Sequence, residues 1–205
     1  LTGSYLFLDA TEFDVTNNVV SRQFTRAAPT DPIAQTFRIK TAQAAGASTI
    51  SLSEVDLYFK TKSSTLGVTV EIREVINGYP SSSVLPFARK HLRANQVSTS
   101  STALTATSFR FKNPVRLNVE SEYCFVVMPD ANSPDYLIWT SKVGSTDVAS
   151  NVAITNDWGD GVLFTSTNDS AWKSYQDEDI KFAIKRYDFQ TSAGHVNLVP
   201  NDVEF

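Results

Sequence analysis

The sequence predicts an all-β protein: an antiparallel β-sandwich of jelly-roll type with extended N- and C-terminal arms. Three observations predict it. The chain holds 23 Ser, 21 Thr and 20 Val, residues that fit a pleated, half-buried surface better than a helix. Its clearest segments alternate apolar and polar residues with period two. Turn signals recur every 8–12 residues or so, the spacing of sandwich and jelly-roll strands. A composition of 41% hydrophobic and 20% charged residues excludes a disordered chain. A fold of this size buries about 70% of its unfolded surface, so a core can form without metals or disulfides.

The first 30 residues read as an extended arm. Asn17-Asn18 is turn-like without a local partner, Arg22 and Arg26 flank Phe24, and Pro29 and Pro32 follow. Tyr5, Phe7, Leu8, Phe13 and Phe24 cannot bury themselves within an arm. It therefore packs on its own domain or lies across another subunit or domain. The sandwich itself is expected over residues 31–189, and residues 190–205 form a C-terminal extension or a linker to a further segment. The absence of an initiator Met and the character of the final residues favour a fragment of a larger protein.

Within the domain, residues 42–47 hold helix formers in a stretch too short for a stable helix. The strand over residues 53–60 places Val55, Leu57 and Phe59 on one face and Glu54, Asp56, Tyr58 and Lys60 on the other. Residues 67–73 repeat the pattern with Val68, Val70 and Ile72 inward, and the polar connection between the two suits a hairpin. Asn77-Gly78 is a strong turn signal, after which Pro80 ends the ladder. A strand over residues 84–92 is interrupted by Pro86, so it belongs at an edge or carries a bulge. Further strands are expected at residues 103–111, with Phe109 and Phe111 on one face, and at residues 114–117. Residues 122–128 are nearly all apolar, as in a strand buried on both faces. Residues 136–141, 161–165 and 179–187 complete the set; in the last, Ile180, Phe182 and Ile184 alternate with charged neighbours.

Charge and chemistry narrow the function. The net charge of −4 argues against a nucleic-acid or anionic-membrane partner. The longest apolar run, Tyr123 to Met128, falls far short of the ~18 residues of a membrane span. Residues 1–100 carry 10 Lys and Arg against 8 Asp and Glu, residues 101–205 carry 8 against 14, and the acidic excess is densest over residues 157–179. Cys124, the one cysteine, forms no intrachain disulfide and reads as a buried, inert thiol. His91 and His195 lie near no Gly-x-Ser-x-Gly elbow, so no serine-hydrolase triad is expected. No phosphate-cradling glycine motif is present. Asp56 and Glu71 are the carboxylates a glycosidase would pair, but their strand positions read as solvent-facing. The loop Asn156-Asp-Trp-Gly-Asp-Gly161 is the best cation candidate. Asn156, Asp157 and Asp160 offer the hard oxygen ligands that Ca²⁺ takes. With Asp157 and Asp160, Trp158 supplies a ligand-binding face on which a sugar ring stacks. Asn168-Asp-Ser170 matches a glycosylation acceptor. Trp139 and Trp172 read as structural, with Trp172 closing the sandwich end.

Several stretches, taken in order, resemble a known family. They are Asp31-Pro-Ile-Ala-Gln-Thr-Phe37, Val55 to Lys62, Val68 to Glu74, Asn77-Gly-Tyr-Pro80, Pro114-Val with Leu117 and Glu122-Tyr-Cys-Phe125, and Gly161-Val-Leu-Phe164 through Trp172 to Phe182. Together they resemble the jelly-roll-like domain that recurs in large tail and baseplate structural proteins of contractile-tailed bacteriophages, notably those of marine cyanobacteria. One departure is Ser121, where the pattern has glycine before Glu-Tyr. The resemblance implies a non-catalytic structural or interaction module of a virion tail, part of a larger polypeptide assembled in the host cytoplasm. It implies no catalytic residues and no cofactor, calcium at the loop above being the exception the residues themselves raise. The partners expected are other virion tail proteins and further copies of the chain. The second function expected is carbohydrate binding for host-surface recognition, with a surface glycan as ligand.

Overall fold

A computed structural model describes residues 7–14 and 20–23 as backbone, and residues 31–131, 133–148, 150–155 and 160–189 in full. The protein is an all-β antiparallel sandwich. One layer is a six-stranded sheet in the order β12-β11-β3-β9-β6-β7. Its strands are β3 (Ile33–Arg38), β6 (Val68–Ile76), β7 (Tyr79–Leu92), β9 (Glu122–Pro129), β11 (Leu163–Ser166) and β12 (Trp172–Tyr175). The second layer holds two smaller sheets. One is β1-β14-β4-β8, from Phe7–Asp14, Phe182–Phe189, Thr49–Leu57 and Thr107–Asn118; the other is β13-β10-β2, from Glu178–Ile180, Leu137–Lys142 and Val20–Gln23, with β5 (Phe59–Thr61) also on β10. From β3 onward the chain alternates between layers, β3, then β4 and β5, then β6 and β7, then β8, β9 and β10 in turn, then β11 and β12, then β13 and β14. These repeated crossings between the layers give the jelly-roll character.

The two small sheets meet at a shared break. Tyr58 interrupts β4 from β5, and Lys181 interrupts β13 from β14. The Trp139 amide of β10 donates to the Tyr58 carbonyl, and the Lys181 amide donates to the Trp139 carbonyl, both at 2.9 Å. Ammonium groups cover the rings at this seam: Lys181 Nζ lies 4.6 Å from the Tyr58 ring centre and Lys60 Nζ 5.3 Å from that of Trp139. Trp139 is buried and donates its indole N–H to the Ser100 carbonyl at 2.8 Å, the structural role read from its sequence.

Between the layers, the alternation seen in the sequence becomes the core. Val55, Leu57, Phe59, Val68, Val70, Ile72, Phe109, Phe111, Ile180, Phe182 and Ile184 are all buried in one cluster. Phe182 of one layer meets Phe125 of the other edge-on, 4.9 Å between ring centres, and Phe37 at 6.2 Å. Each such aromatic pair contributes ~0.5–1.5 kcal/mol beyond its buried area. The central strand β9 is buried on both faces, as its composition predicts. Phe125 and Val127 enter the core, while Cys124 and Val126 pack outside with Ala34 and Phe164.

Four expectations are corrected. The segment after Lys60 is a crossover, not a hairpin, because β5 pairs with β10 and β6 with β7 and β9; a polar connection of that length serves either purpose. The ladder does not stop at Pro80, which stands opposite Val75. Proline is tolerated there because β7 is the sheet edge and its missing N–H faces no neighbour. Residues 114–117 continue β8, across an irregular register at Leu52 and Glu54. Trp172 begins strand β12 and packs beside the outer cluster of Phe164. Two expectations match: Asn77 and Gly78 both take positive φ in a two-residue hairpin, and residues 84–92 lie on an edge strand. The short helix-forming stretch is a single 3-10 turn, Thr41–Ala44.

Candidate functional site

The largest departure from the sequence reading lies on the outer faces of both layers, where strand-centre charges are buried. Asp56, Glu71, Glu54 and Arg73 are 2–4% exposed. Asp56 and Glu71 are therefore not the solvent-facing carboxylates that alternation implied. Nor do they pair with each other, because they stand on different layers.

On the six-stranded sheet the organising group is Arg73. Its Nε and Nη2 donate to Glu71 Oε2 at 2.9 and 2.7 Å, and Nη1 and Nη2 donate to the two Asp169 oxygens at 2.8 and 2.9 Å. Glu71 and Arg73 share a face of β6 at spacing two, so strand geometry alone brings them together. Asp169 arrives from the turn between β11 and β12. The planar fork of arginine suits this double engagement. Burial disfavours the charged guanidinium, but the bonds to Asp169 and Glu71 outweigh it and raise its pKa further. Cys124 lies beneath, fully buried, its Sγ 3.7 Å from the Arg73 carbonyl. Burial pushes this thiol up to about 12, which matches the inert thiol expected.

On the other layer, Lys185, Glu54 and Arg110 occupy one row across β14, β4 and β8, and Glu12 of β1 stands opposite Lys185 in the same register. Lys185 Nζ lies 2.9 Å from Glu54 Oε1 and 2.7 Å from Asp56 Oδ2, and Arg110 Nε lies 2.7 Å from Glu54 Oε2. Burial works against the Glu54 carboxylate, yet Lys185 and Arg110 more than offset it and lower its pKa. The second oxygen of Asp56 is buried and accepts no hydrogen bond from the described residues.

A third polar group ties the layers together. Gln35 of β3 is fully buried; its Nε2 donates to Asp179 Oδ1 at 2.7 Å, and its Oε1 accepts the Ile180 amide at 2.9 Å. Next to it, Thr36 Oγ1 accepts the Val162 amide at 2.8 Å. Sequence reading missed Gln35 and drew no strand over residues 33–38, although Ile33, Gln35 and Phe37 at spacing two were the signal available.

Of the residues read as a cation and sugar site, Asn156, Asp157 and Trp158 lie outside the described residues. Asp160 is described, and its carboxylate forms an ion pair with Lys40. Among the described residues no group of three or more His, Cys, Asp or Glu is placed to hold a metal ion. His91 is exposed and shares its Nε2 with Asp130 at 2.9 Å, while His195 lies outside the described residues. No helix of the described residues is long and apolar enough to cross a membrane.

The exposed surface offers one distinct feature, the edge strand β7. Tyr79, Val84 and Phe87 are 52, 39 and 65% exposed along it, and Ile76, at the end of neighbouring β6, is 54% exposed. Phe87 follows Pro86 and takes φ +64°, a left-handed conformation that is a genuine outlier for a bulky residue. No protein-family model and no curated protein matches the chain.

Proposed function

We propose that the chain is a non-catalytic structural and interaction module of a virion tail or baseplate polypeptide. The observation that carries this reading is the commitment of the strand-centre charges to one another. Arg73 binds Glu71 and Asp169, and Lys185 binds Glu54 and Asp56, each across or along strands. Groups that hold neighbouring strands in this way serve cohesion. The stretches that carry the resemblance to tail proteins also coincide with β3, β6, β9, β11 and β13 of the sandwich and with the end of β4, including Gln35, which clamps the layers. The test is immunogold labelling of purified virions with an antibody against this chain. Label on the tail is expected, and label absent from particles while the chain is abundant in the infected cell overturns the reading.

A second reading, recognition of a host-surface glycan, is favoured by Phe87. A ring displayed to solvent on a conformationally costly backbone is the kind of outlier from which function is inferred.

A further inference from the structure

The sequence around Phe87 is cationic. Residues 75–119 contain six Lys and Arg and no Asp or Glu, whereas the remainder of the chain holds 12 against 22. The fold gathers this block at one place. β7 and β8 run side by side where the two layers meet, and Ser98 and Thr107 bond to each other where the chain turns from one strand toward the next. Arg89 is 69% and Arg110 68% exposed at the side chain, each anchored by one buried carboxylate. Among the described residues, Lys90, Arg93, Lys112 and Arg116 meet no carboxylate within ion-pair distance. A net-negative protein thus concentrates unneutralised positive charge on one corner, beside the most exposed aromatic ring among the described residues.

We propose that this corner, centred on Phe87, Arg89, Arg110, Lys112 and Arg116, binds an acidic polysaccharide. The proposal rests on the glycan reading above and names its ligand class and its place, away from Trp158. The ring of Phe87 packs against a sugar face, and the flanking cations meet carboxylates along the chain. Alternate outward positions on a strand lie ~6.8 Å apart, so Arg110 and Lys112 are spaced for sparse charge. Duplex DNA brings one charge per ~1.7 Å of axis, and single strands bind through several stacking rings; one ring among dispersed cations fits a charged glycan better. The left-handed backbone at Phe87 has a use here, because it holds the ring clear of the sheet edge. Glycine would take that conformation without cost.

The test uses the whole chain with three probes at low salt: polygalacturonate, neutral dextran and oligodeoxythymidylate. Calorimetric binding to polygalacturonate is expected, and it weakens steeply with added salt. Lys112→Glu with Arg116→Glu is expected to weaken it at least tenfold. Phe87→Gly is expected to lower affinity while raising the unfolding midpoint, a pair of changes that misfolding cannot produce. Wild-type protein that ignores polygalacturonate, or binding untouched by the double charge reversal, overturns the proposal. Tighter binding of oligodeoxythymidylate, or salt-sensitive self-association without glycan binding in sedimentation, also overturns it by assigning the patch to another partner. Dextran bound with polygalacturonate ignored sinks this site and leaves the broader glycan reading standing.

Discussion

Lys185 stands between Glu54 and Asp56 with its ammonium 2.9 and 2.7 Å from the two carboxylates. Both carboxylates are almost wholly buried on β4, so the lysine of β14 neutralises charge that water does not reach. Removing it takes the cation from Asp56 and leaves Glu54 with Arg110 alone. Lys185→Ala is expected to destabilise the protein by ~3–5 kcal/mol, read as a lower urea midpoint with unchanged slope.

The same cluster sets the acid limit. Glu54 has a folded pKa below its ordinary 4.5, so its contribution is complete above about that pH and is lost as pH falls through the lower folded value. Unfolding midpoints measured from pH 6 to pH 2 are expected to fall in acid, and less steeply in Glu54→Gln, which starts lower at pH 6.

Alkali acts through different groups. Burial raises the Cys124 thiol from 9.0 to about 12 and the Tyr136 phenol from 10.0 to about 12. Stability from these groups is full below their unfolded values and declines as pH rises toward 12. Cys124→Ala is expected to shift the alkaline decline upward in pH. A disulfide-exchange reagent at pH 8 should label Cys124 only on unfolding; rapid labelling of the native protein contradicts its burial.

Gln35 reaches across the layers to Asp179 and Ile180. Gln35→Leu keeps similar bulk but removes the hydrogen bonds that Gln35 makes to buried Asp179 Oδ1 and to the Ile180 amide. A loss of ~1–3 kcal/mol is expected for each bond so removed, again from urea unfolding.

Gly67 admits no side chain. A Cβ there lies 2.5 Å from the Leu92 carbonyl oxygen and 2.7 Å from Asp130 Oδ2. Gly67→Ala is expected to separate the start of β6 from the end of β7, seen as faster amide exchange at Val68 and Leu92 than in the wild type.

Period-two alternation made the inner faces legible: Val55, Leu57 and Phe59, or Ile180, Phe182 and Ile184, point into the core where the pattern places them. The outer faces were not legible in the same way. Alternation assigns Glu54, Asp56, Glu71 and Arg73 to water, because it has no knowledge of residues that return from distant sequence. Asp169 reaches Arg73 across 96 positions and Lys185 reaches Glu54 across 131. Sheet order was hidden for a similar reason. Local polarity made the segment after Lys60 look like a hairpin, while the pairing that decides it lies on β10. Pro86, by contrast, announced an edge from its own chemistry. Of the candidate site, the loop of Asp157 and Trp158 drew notice through residue type, whereas the cations beside Phe87 share a corner only once β7 and β8 are placed.

The central claim is that the buried outer-face charges serve cohesion and not chemistry. Glu54→Gln and Glu71→Gln test it directly, measured side by side for urea midpoint and for incorporation into virions. Lower midpoints are expected in both, with incorporation following the folded fraction. A variant that keeps the wild-type midpoint yet loses incorporation would contradict the claim and make these carboxylates part of a working site.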